Sequence, residues 1–479
     1  MVLTPLSGNP SLFVQFRCRP LASETTPTGT SDSDCNSTGA DALMSTQDDG
    51  VERISIKPSD PGFCSPPCTL YVAVRGETDC SFSILVTQRA FGVTALVNGQ
   101  PQAGVVDSDK TAYYSLTVNM THGLVVWLTA FEGSPTLIYS SDLAAPLPTA
   151  SSYTGDRVDS SSPLRLPAQP GMITYRFGVY GENGGANFAL LARSGGGQSL
   201  IVDNVPTVGQ VFAGETALYK IHVPATASTF PQLYVTALQG SVRVLMSVNG
   251  ATPTEASHAQ GATAAPEWPA RLPLSPGALN IVAVSHFSSS AASFATFSLL
   301  AVVEPGSSAL LLDGWPQSLE VQSGEAAFMR FIIPSAGQKV VLTARLADHA
   351  SPRSTLSLRA SALDPRAQHL LSCTGRDCHS ATSPPGADSV SLVLQEDACS
   401  SRCLLHIALS SSDAANVTVI ASTQTGDVQL QLGIVRDAWG PNSQKEATCL
   451  AGCLPRASCP DSALYMPIES RYRSLGAVL

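Results

Sequence analysis

The chain has 479 residues, of which only 13% are charged, and its 37 acidic and 27 basic residues give a formal net charge of -10. This length exceeds one hydrophobic core and suits several domains of roughly 100 residues each. The acidic residues form no blocks and no basic face is present, which argues against nucleic-acid binding. No apolar run reaches the roughly 18 residues that a membrane-spanning helix needs.

The N-terminal segment 2–14 has the pattern of a strand, a turn and a second strand. It has neither the basic start nor the apolar stretch of a signal peptide. We therefore expect the sequence to be a fragment of a longer protein, with a signal peptide and any anchor located elsewhere.

The segment Cys68–Thr87 has degenerate copies along the chain, which indicate a repeat of whole domains. Its aligned positions Leu70, Tyr175, Asn280 and Leu405 are 105, 105 and 125 residues apart. The predicted units are residues 1–90 (module 1, N-terminally truncated), 91–195 (module 2), 196–305 (module 3), 306–424 (module 4, with a longer cysteine-containing loop) and 425–479, an irregular Cys/Pro-rich tail or a partial next module.

Each unit is expected to open with a hairpin, because Asn98-Gly99, Asp203-Asn204 and Asp313-Gly314 are turn formers followed by alternating residues. A pair of strands, a long polar loop (140–162, 250–268 and 369–388) and a closing hairpin follow. About eight short strands per unit predict an all-β fold, a tandem array of antiparallel, jelly-roll-like β-sandwich modules. The expected inward residues are Tyr71, Val74, Phe82, Trp127, Leu128, Phe177, Val179, Phe188, Tyr219, Val235, Val282, Phe297, Phe331 and Ile407.

The motif residues resemble the prepeptidase C-terminal domain, a β-sandwich appended to secreted proteases. In module 1 they are Leu3, Thr4, Gly8, Pro10, Leu12 and Val14, then Tyr71, Val74, Gly76, Phe82 and Val86. A Cys-x3-Cys before the closing strands, in a tandem array without a protease, is similar to the mastigoneme-type surface glycoproteins of algae and other protists. That similarity implies an extracellular fibrous or coat-like assembly and supplies no catalytic residues.

The twelve cysteines fall in three clusters, which fits disulfides of an oxidising compartment. The preferred pairs are Cys18 with Cys35, Cys64 with Cys68, Cys373 with Cys378 and Cys399 with Cys403, although four cysteines allow three connectivities. A zinc site with His379 beside Cys378 is the alternative. Cys80 is odd in module 1 and is either a buried thiol or paired outside the module; Cys449, Cys453 and Cys459 are also odd in number.

Further candidate sites lie on the surface of the predicted modules. The sequons at Asn36, Asn119 and Asn416 are candidates for N-glycosylation. Trp268 and Trp315, in loops flanked by Pro, are candidates for stacking on a carbohydrate ligand. The loops 181–186 and 107–109 could hold a small anion or Ca²⁺ on backbone groups.

No nucleophile elbow, zinc-protease motif or phosphate-binding loop is present, so we expect no enzyme and no cofactor. The predicted function is that of a non-catalytic structural or adhesive repeat region of a secreted or cell-surface glycoprotein, providing an extended scaffold. Its expected partners are other cell-surface or matrix proteins, copies of itself, or a carbohydrate. The alternative is an accessory carbohydrate- or protein-binding array of a larger secreted hydrolase or peptidase.

Overall fold

A computed structural model describes residues 1–423 apart from 8–9, 16–18, 22–33, 37–42, 46–51, 55, 57–58, 61–62, 64–69, 77–79, 87–91, 120–122, 142–146, 226, 228–230, 267, 288–292, 304–307, 334, 336, 348–353, 363–377, 396–398 and 400–402. The described residues form strands and turns and contain no helix, and so no helix that could cross a membrane. The predicted all-β, sandwich-like fold is confirmed.

The strands of module 1 are β1 (Val2–Ser7), β2 (Pro10–Gln15), β3 (Arg19–Leu21), β4 (Asp34–Asn36), β5 (Leu43–Ser45), β6 (Glu52–Arg53), β7 (Tyr71–Gly76) and β8 (Ser81–Leu85). Those of module 2 are β9 (Val93–Ala95), β10 (Gln102–Val106), β11 (Thr111–Asn119), β12 (Leu124–Ser140), β13 (Thr154–Val158), β14 (Leu164–Leu166) and β15 (Met172–Ser194).

The strands of module 3 are β16 (Gln198–Leu200), β17 (Thr207–Phe212), β18 (Thr216–His222), β19 (Gln232–Gln239), β20 (Val242–Val248), β21 (Gln260–Ala264), β22 (Ala270–Pro273), β23 (Leu279–His286) and β24 (Phe294–Val302). Those of module 4 are β25 (Ala309–Leu311), β26 (Gln317–Val321), β27 (Ala326–Ile333), β28 (Val340–Leu346), β29 (Leu356–Ser361), β30 (Cys378–Thr382), β31 (Ser389–Leu394), β32 (Cys403–Ser411) and β33 (Ala415–Thr423).

Module 3 shows the topology in full, and we letter its nine strands A to I in chain order. One sheet has the order A-C-H-E-F (β16-β18-β23-β20-β21), and the other has B-I-D-G (β17-β24-β19-β22). Strand A pairs with C in parallel, and the other pairs are antiparallel. This order of eight antiparallel strands in two sheets is that of a jelly roll. Module 4 repeats it with β25 to β33.

Module 2 has the same strand order, but two of its strands are long enough to occupy two positions each. The first half of β12 is strand D and the second half is E, while β15 supplies H and then I, so both long strands take part in both sheets. In module 1, β1, β2, β5, β6, β7 and β8 occupy positions D to I, in the sheets β6-β1-β8 and β5-β2-β7. Strands β3 and β4 form a separate parallel pair.

The expected opening and closing hairpins are wrong. The turn at 203–204 connects strands A and B of opposite sheets, and the last two strands, H and I, are also in opposite sheets. Alternation of apolar and polar residues predicts where the strands lie but not which strands pair with each other. Each strand of a sandwich has one buried face, whichever of the two sheets it belongs to. The long polar loops are also corrected, since each contains strand F: β13, β21 and β30.

The sandwich cores contain most of the expected inward residues. Leu128, Phe177, Val179, Phe188, Tyr219, Val235, Val282, Phe297, Phe331 and Ile407 are buried there. Tyr71 and Val74 are half-buried. Phe82 is a wrong prediction, because 40% of it is exposed. Trp127 is buried, but between modules and not within a sandwich.

Candidate functional site: the module junctions

A buried threonine hydroxyl accepts a hydrogen bond from the following module at two junctions. Thr4 Oγ1 accepts from the backbone N–H of Ala103 at 3.3 Å, and Thr236 Oγ1 accepts from that of Ser318 at 2.9 Å. Both threonines are on strand D and both donors are on strand B of the next module. The hydroxyl therefore satisfies a backbone donor that the junction removes from water.

The turn between strands A and B is fixed by its first side chain. The Oδ1 atoms of Asn98, Asp203 and Asp313 accept from the backbone N–H groups of Ser194, Val303 and Thr423 at 2.9, 3.0 and 2.9 Å. Each acceptor thus binds the end of strand I in its own module. These bonds explain why the position holds Asn or Asp, which are the residues whose side chains best mimic a backbone turn.

The second residue of the same turn binds the next module. The carbonyl of Gly99 accepts from Leu200 N at 2.7 Å, and that of Asn204 accepts from Leu310 N at 2.8 Å. Both residues have positive φ, 76° and 59°, a region that Gly and Asn adopt most readily. A Cβ added to Gly99 would meet the backbone oxygen of Gln198 in strand A of module 3. One turn therefore closes its own sandwich and positions the next.

An arginine on strand G reaches across each of the last two junctions. Arg165 Nη1 lies 3.2 and 3.3 Å from the Glu215 carboxylate oxygens, and Nη2 donates to the carbonyl of Gln210 at 3.0 Å. Its guanidinium also lies 4.5 Å from the ring centre of Phe212. At the next junction Arg271 pairs with Glu320. Salt weakens exposed ion pairs, but planar stacking and several donors favour Arg at such a contact.

A hydrophobic cluster joins modules 2, 3 and 4, and its members are far apart in the sequence. The buried residues are Trp127, Leu191, Val208, Leu238, Leu310, Leu312, Trp315 and Ile332. Strand β12 of module 2 contacts β27 of module 4, so the cluster connects modules that are not neighbours in the chain. Large aromatic side chains in such a position contribute much of the energy that holds an interface.

Burial and hydrogen bonding shift the pKa values of several ionisable groups. Burial raises the pKa of Tyr114 and of Tyr219, and burial also raises that of Tyr234, against the opposing charge of Arg271. A hydrogen bond from Arg243 lowers the pKa of the exposed Glu255. Each shift moves the pKa further from neutral pH, so the protonation state of each group around pH 7 is the ordinary one.

Two of the eight disulfide candidates are described with a partner. Cys399 and Cys403 form a disulfide with a Cα–Cα distance of 6.1 Å. Cys378 is also disulfide-bonded, and its expected partner Cys373 lies outside the described residues. Six further cysteines also lie outside the described residues: Cys18, Cys64, Cys68, Cys449, Cys453 and Cys459. Cys35 lies in β4, and Cys80 is half-buried.

His379, the proposed zinc ligand, lies in β30, and the described residues contain no group of three or more His, Cys, Asp or Glu that could hold a metal ion.

The two tryptophan candidates have different surroundings. Trp315 is only 6% exposed and packs in the cluster between modules, so its ring is covered by protein and the stacking prediction is corrected there. Trp268 is 57% exposed, and stacking on it stays a prediction. Module 4 has a cavity of about 300 Å³, and the residues that line it are Thr355, Ser357, Ser410, Ser411 and Ser412, which carry hydroxyl groups, with Gly324, Glu325 and Ala326.

The other surface candidates are in strands and tight loops. Asn36 and Asn119 end β4 and β11, and Asn416 is half-buried in β33. The structure brings the loops 107–109 and 181–186 together, where Asp109 Oδ1 accepts from the hydroxyl of Tyr180 at 3.0 Å and Ser108 Oγ accepts from Gly184 N at 3.2 Å. These two bonds link the loops, and binding of an ion on their backbone groups stays a prediction.

Sequence reasoning missed the junction residues, although two signals were present. A Thr follows an apolar residue at the same place in Leu3-Thr4 and Val235-Thr236, and Arg-Leu-Pro occurs at both 165–167 and 271–273. A polar side chain repeated on the outer face of a sandwich indicates a contact that each module makes.

No protein-family model and no curated protein matches the chain. Similarities to solved structures are weak. Tripeptidyl peptidase 2 has a TM-score of 0.16 at 8% identity, over 70% of this chain and 33% of that one. A structure of the Sulfolobus turreted icosahedral virus matches with a TM-score of 0.14 at 11% identity, over 65% of this chain and 84% of that one. The α-L-rhamnosidase of Streptomyces avermitilis matches with a TM-score of 0.13 at 11% identity, over 67% of this chain and 43% of that one. The chain thus spans about a third of the peptidase, and these similarities carry no argument about function.

Proposed function

We propose that the chain is a non-catalytic structural or adhesive repeat region of a secreted or cell-surface glycoprotein, in which the junctions hold successive jelly rolls as a rigid scaffold. The observation that carries the proposal is the repeated junction chemistry: the same turn, the Asn/Asp acceptor and the carbonyl bond to the next module recur between modules 2, 3 and 4. Modules that served only as independent binding units would not need buried contacts at each boundary.

The disulfide at Cys399–Cys403 supports the extracellular location, because such bonds persist in oxidising compartments. The proposal keeps the expected resemblance to prepeptidase C-terminal-like modules and to mastigoneme-type glycoproteins. It also keeps Asn36, Asn119 and Asn416 as candidates for glycosylation.

The proposal is tested by loosening the junctions and measuring the shape of the chain. Trp127→Ala removes a large side chain from the cluster between modules, a change that costs about 3–5 kcal/mol in a packed core. We expect small-angle X-ray scattering to show one rigid arrangement for the native chain and a broader distribution for the variant, with circular dichroism unchanged. Trp268→Ala is the matched control, since that ring is exposed. Flexibly linked modules in the native chain would overturn the proposal.

A carbohydrate-binding array is the second candidate, favoured by the exposed ring of Trp268 and the cavity of module 4, most of whose lining residues carry hydroxyl groups. Sugars stack on exposed aromatic faces and exchange hydrogen bonds with hydroxyl groups. Binding of the native chain to a glycan array, lost in Trp268→Ala and kept in Trp315→Phe, would favour this function.

A further inference from the structure

Three asparagines of the chain are followed by glycine, in the pairs Asn98-Gly99, Asn183-Gly184 and Asn249-Gly250. In such a pair the backbone nitrogen of the glycine can attack the Cγ atom of the asparagine side chain, because glycine has no Cβ to hinder the approach. The side chain of Asn183 lies outside the described part of the chain. Asn98 and Asn249 can be compared directly, since the structure describes both side chains.

Hydrogen bonds hold both reacting groups of the first pair. Asn98 Oδ1 accepts from Ser194 N at 2.9 Å, and Asn98 Nδ2 donates to Ser194 Oγ at 2.8 Å. The backbone N–H of Gly99 donates to the carbonyl of Ala192 at 2.8 Å. The amide side chain and the attacking nitrogen thus have separate partners at the end of strand I, and the reaction requires that this turn opens first.

The pair Asn249-Gly250 has no such bonds. It forms the exposed turn after strand E of module 3 (β20), and both residues have positive φ, 67° and 82°, which Asn and Gly adopt most readily. Asn249 N donates to Leu279 O at 3.0 Å, but neither the Asn249 side chain nor the Gly250 N–H has a hydrogen-bond partner within the described residues. Rotation of the turn that brings Gly250 N to Cγ of Asn249 therefore breaks no side-chain bond.

We propose that Asn249 is a site of spontaneous deamidation through a cyclic imide formed with Gly250. In the first step the deprotonated backbone nitrogen of Gly250 forms a bond to Cγ of Asn249, and the side-chain amide nitrogen leaves as ammonia. In the second step water opens the imide. Attack of water at Cγ gives aspartate, and attack at the backbone carbonyl carbon gives isoaspartate, in which the main chain runs through the side chain. The net reaction consumes water and releases ammonia, with no change of oxidation state.

The modification changes the connection between strands E and F of module 3. Strand E (β20) pairs with β21 on one side and β23 on the other, and Ser247 Oγ donates to the carbonyl of Ala251 across the turn. Both products place a carboxylate in this turn, and isoaspartate also adds a methylene group to the backbone there. The inference goes beyond the proposed scaffold function and does not depend on it, because it requires only the fold of module 3.

Peptide mapping by mass spectrometry, after incubation of the full chain in mildly alkaline buffer, tests the proposal. In the folded chain we expect Asn249 to react at least roughly tenfold faster than Asn98, because the bonds of Asn98 and Gly99 must break before that pair reacts. In denaturant both pairs lose their surroundings and should react at similar rates. Fragmentation that distinguishes the two products should show isoaspartate as well as aspartate at position 249.

Gly250→Ala tests the role of the glycine nitrogen. The added Cβ hinders the attack, so the reaction of Asn249 should slow severalfold in the folded chain and in denaturant, where strain of Ala at a φ of 82° has no effect. Gly214→Ala is the matched control: it introduces the same strain in module 3, at a φ of 81°, and should leave the rate at Asn249 unchanged. An unreacted Asn249 in the folded chain, equal rates at Asn98 and Asn249 there, or an unchanged rate in Gly250→Ala would overturn the proposal.

Discussion

Thr236→Val should weaken the junction between modules 3 and 4 without changing the shape of the side chain. The variant removes the hydroxyl that accepts from Ser318 N at 2.9 Å. Both residues are almost fully buried, 1% and 2% exposed, so water cannot replace the acceptor. Loss of a partner by a buried donor costs about 1–3 kcal/mol. Thr4→Val should cost less, since its bond to Ala103 is longer, at 3.3 Å.

Hydrogen exchange measures this effect at the bond itself. A loss of 1–3 kcal/mol corresponds to roughly 5- to 150-fold faster exchange of the Ser318 amide. Thr236→Ser keeps the hydroxyl and should restore most of the protection. Thr343→Val is the matched control on strand D of module 4, where the hydroxyl bonds to Ser391 Oγ at 3.2 Å and is only half-buried. Unchanged exchange at Ser318 in Thr236→Val would refute the junction role of the hydroxyl.

Three further predictions concern the modules. Gly209→Ala should destabilise module 3 by about 1–3 kcal/mol in calorimetry, because the new Cβ would meet the hydroxyl of Tyr219, and Tyr219→Phe should restore part of the loss. Burial raises the folded pKa of Tyr114 and Tyr219, so their stabilising effect is complete below about pH 10 and is lost as the pH rises further; the part of the tyrosinate absorbance that Tyr114→Phe and Tyr219→Phe remove should appear together with unfolding, and its appearance before unfolding would contradict this. Peptide mapping without reductant should recover Cys399 bonded to Cys403.

Local rules predicted the strands and turns but not the partners of the strands. Asn98-Gly99 and Asp313-Gly314 were identified as turns, and Gly99 and Gly314 have the positive φ, 76° and 73°, that such turns require. The hairpins attached to them were wrong, because a short connection between strands is compatible with crossing to the other sheet. Strand F was missed in all complete modules, since Gln260–Ala264 pairs along only one edge and carries few large apolar residues.

The junction was harder to predict, because its parts come from distant positions. Thr236 and Ser318 are 82 residues apart in the sequence. Thr and Ser are mostly exposed in proteins, so neither residue by itself indicates a buried contact. Trp127 and Trp315 were assigned to a strand core and to an exposed loop, yet they share one cluster. Burial between modules depends on how the sandwiches pack on each other, which the periodicity of single strands does not encode.

The repeat keeps its junctions more strictly than its cores. At three positions that face each other in the sandwich, module 3 has Gly209, Tyr219 and Phe297, whereas module 4 has Leu319, Met329 and Val417. The larger Leu takes the space that smaller Met and Val side chains leave, so the core stays filled while every residue differs. The carbonyls of Gly99 and Asn204, by contrast, accept the same bond from strand A of the next module at both junctions. A filled core suffices for a fold, whereas a bond between modules that recurs at successive boundaries gives those boundaries a common geometry.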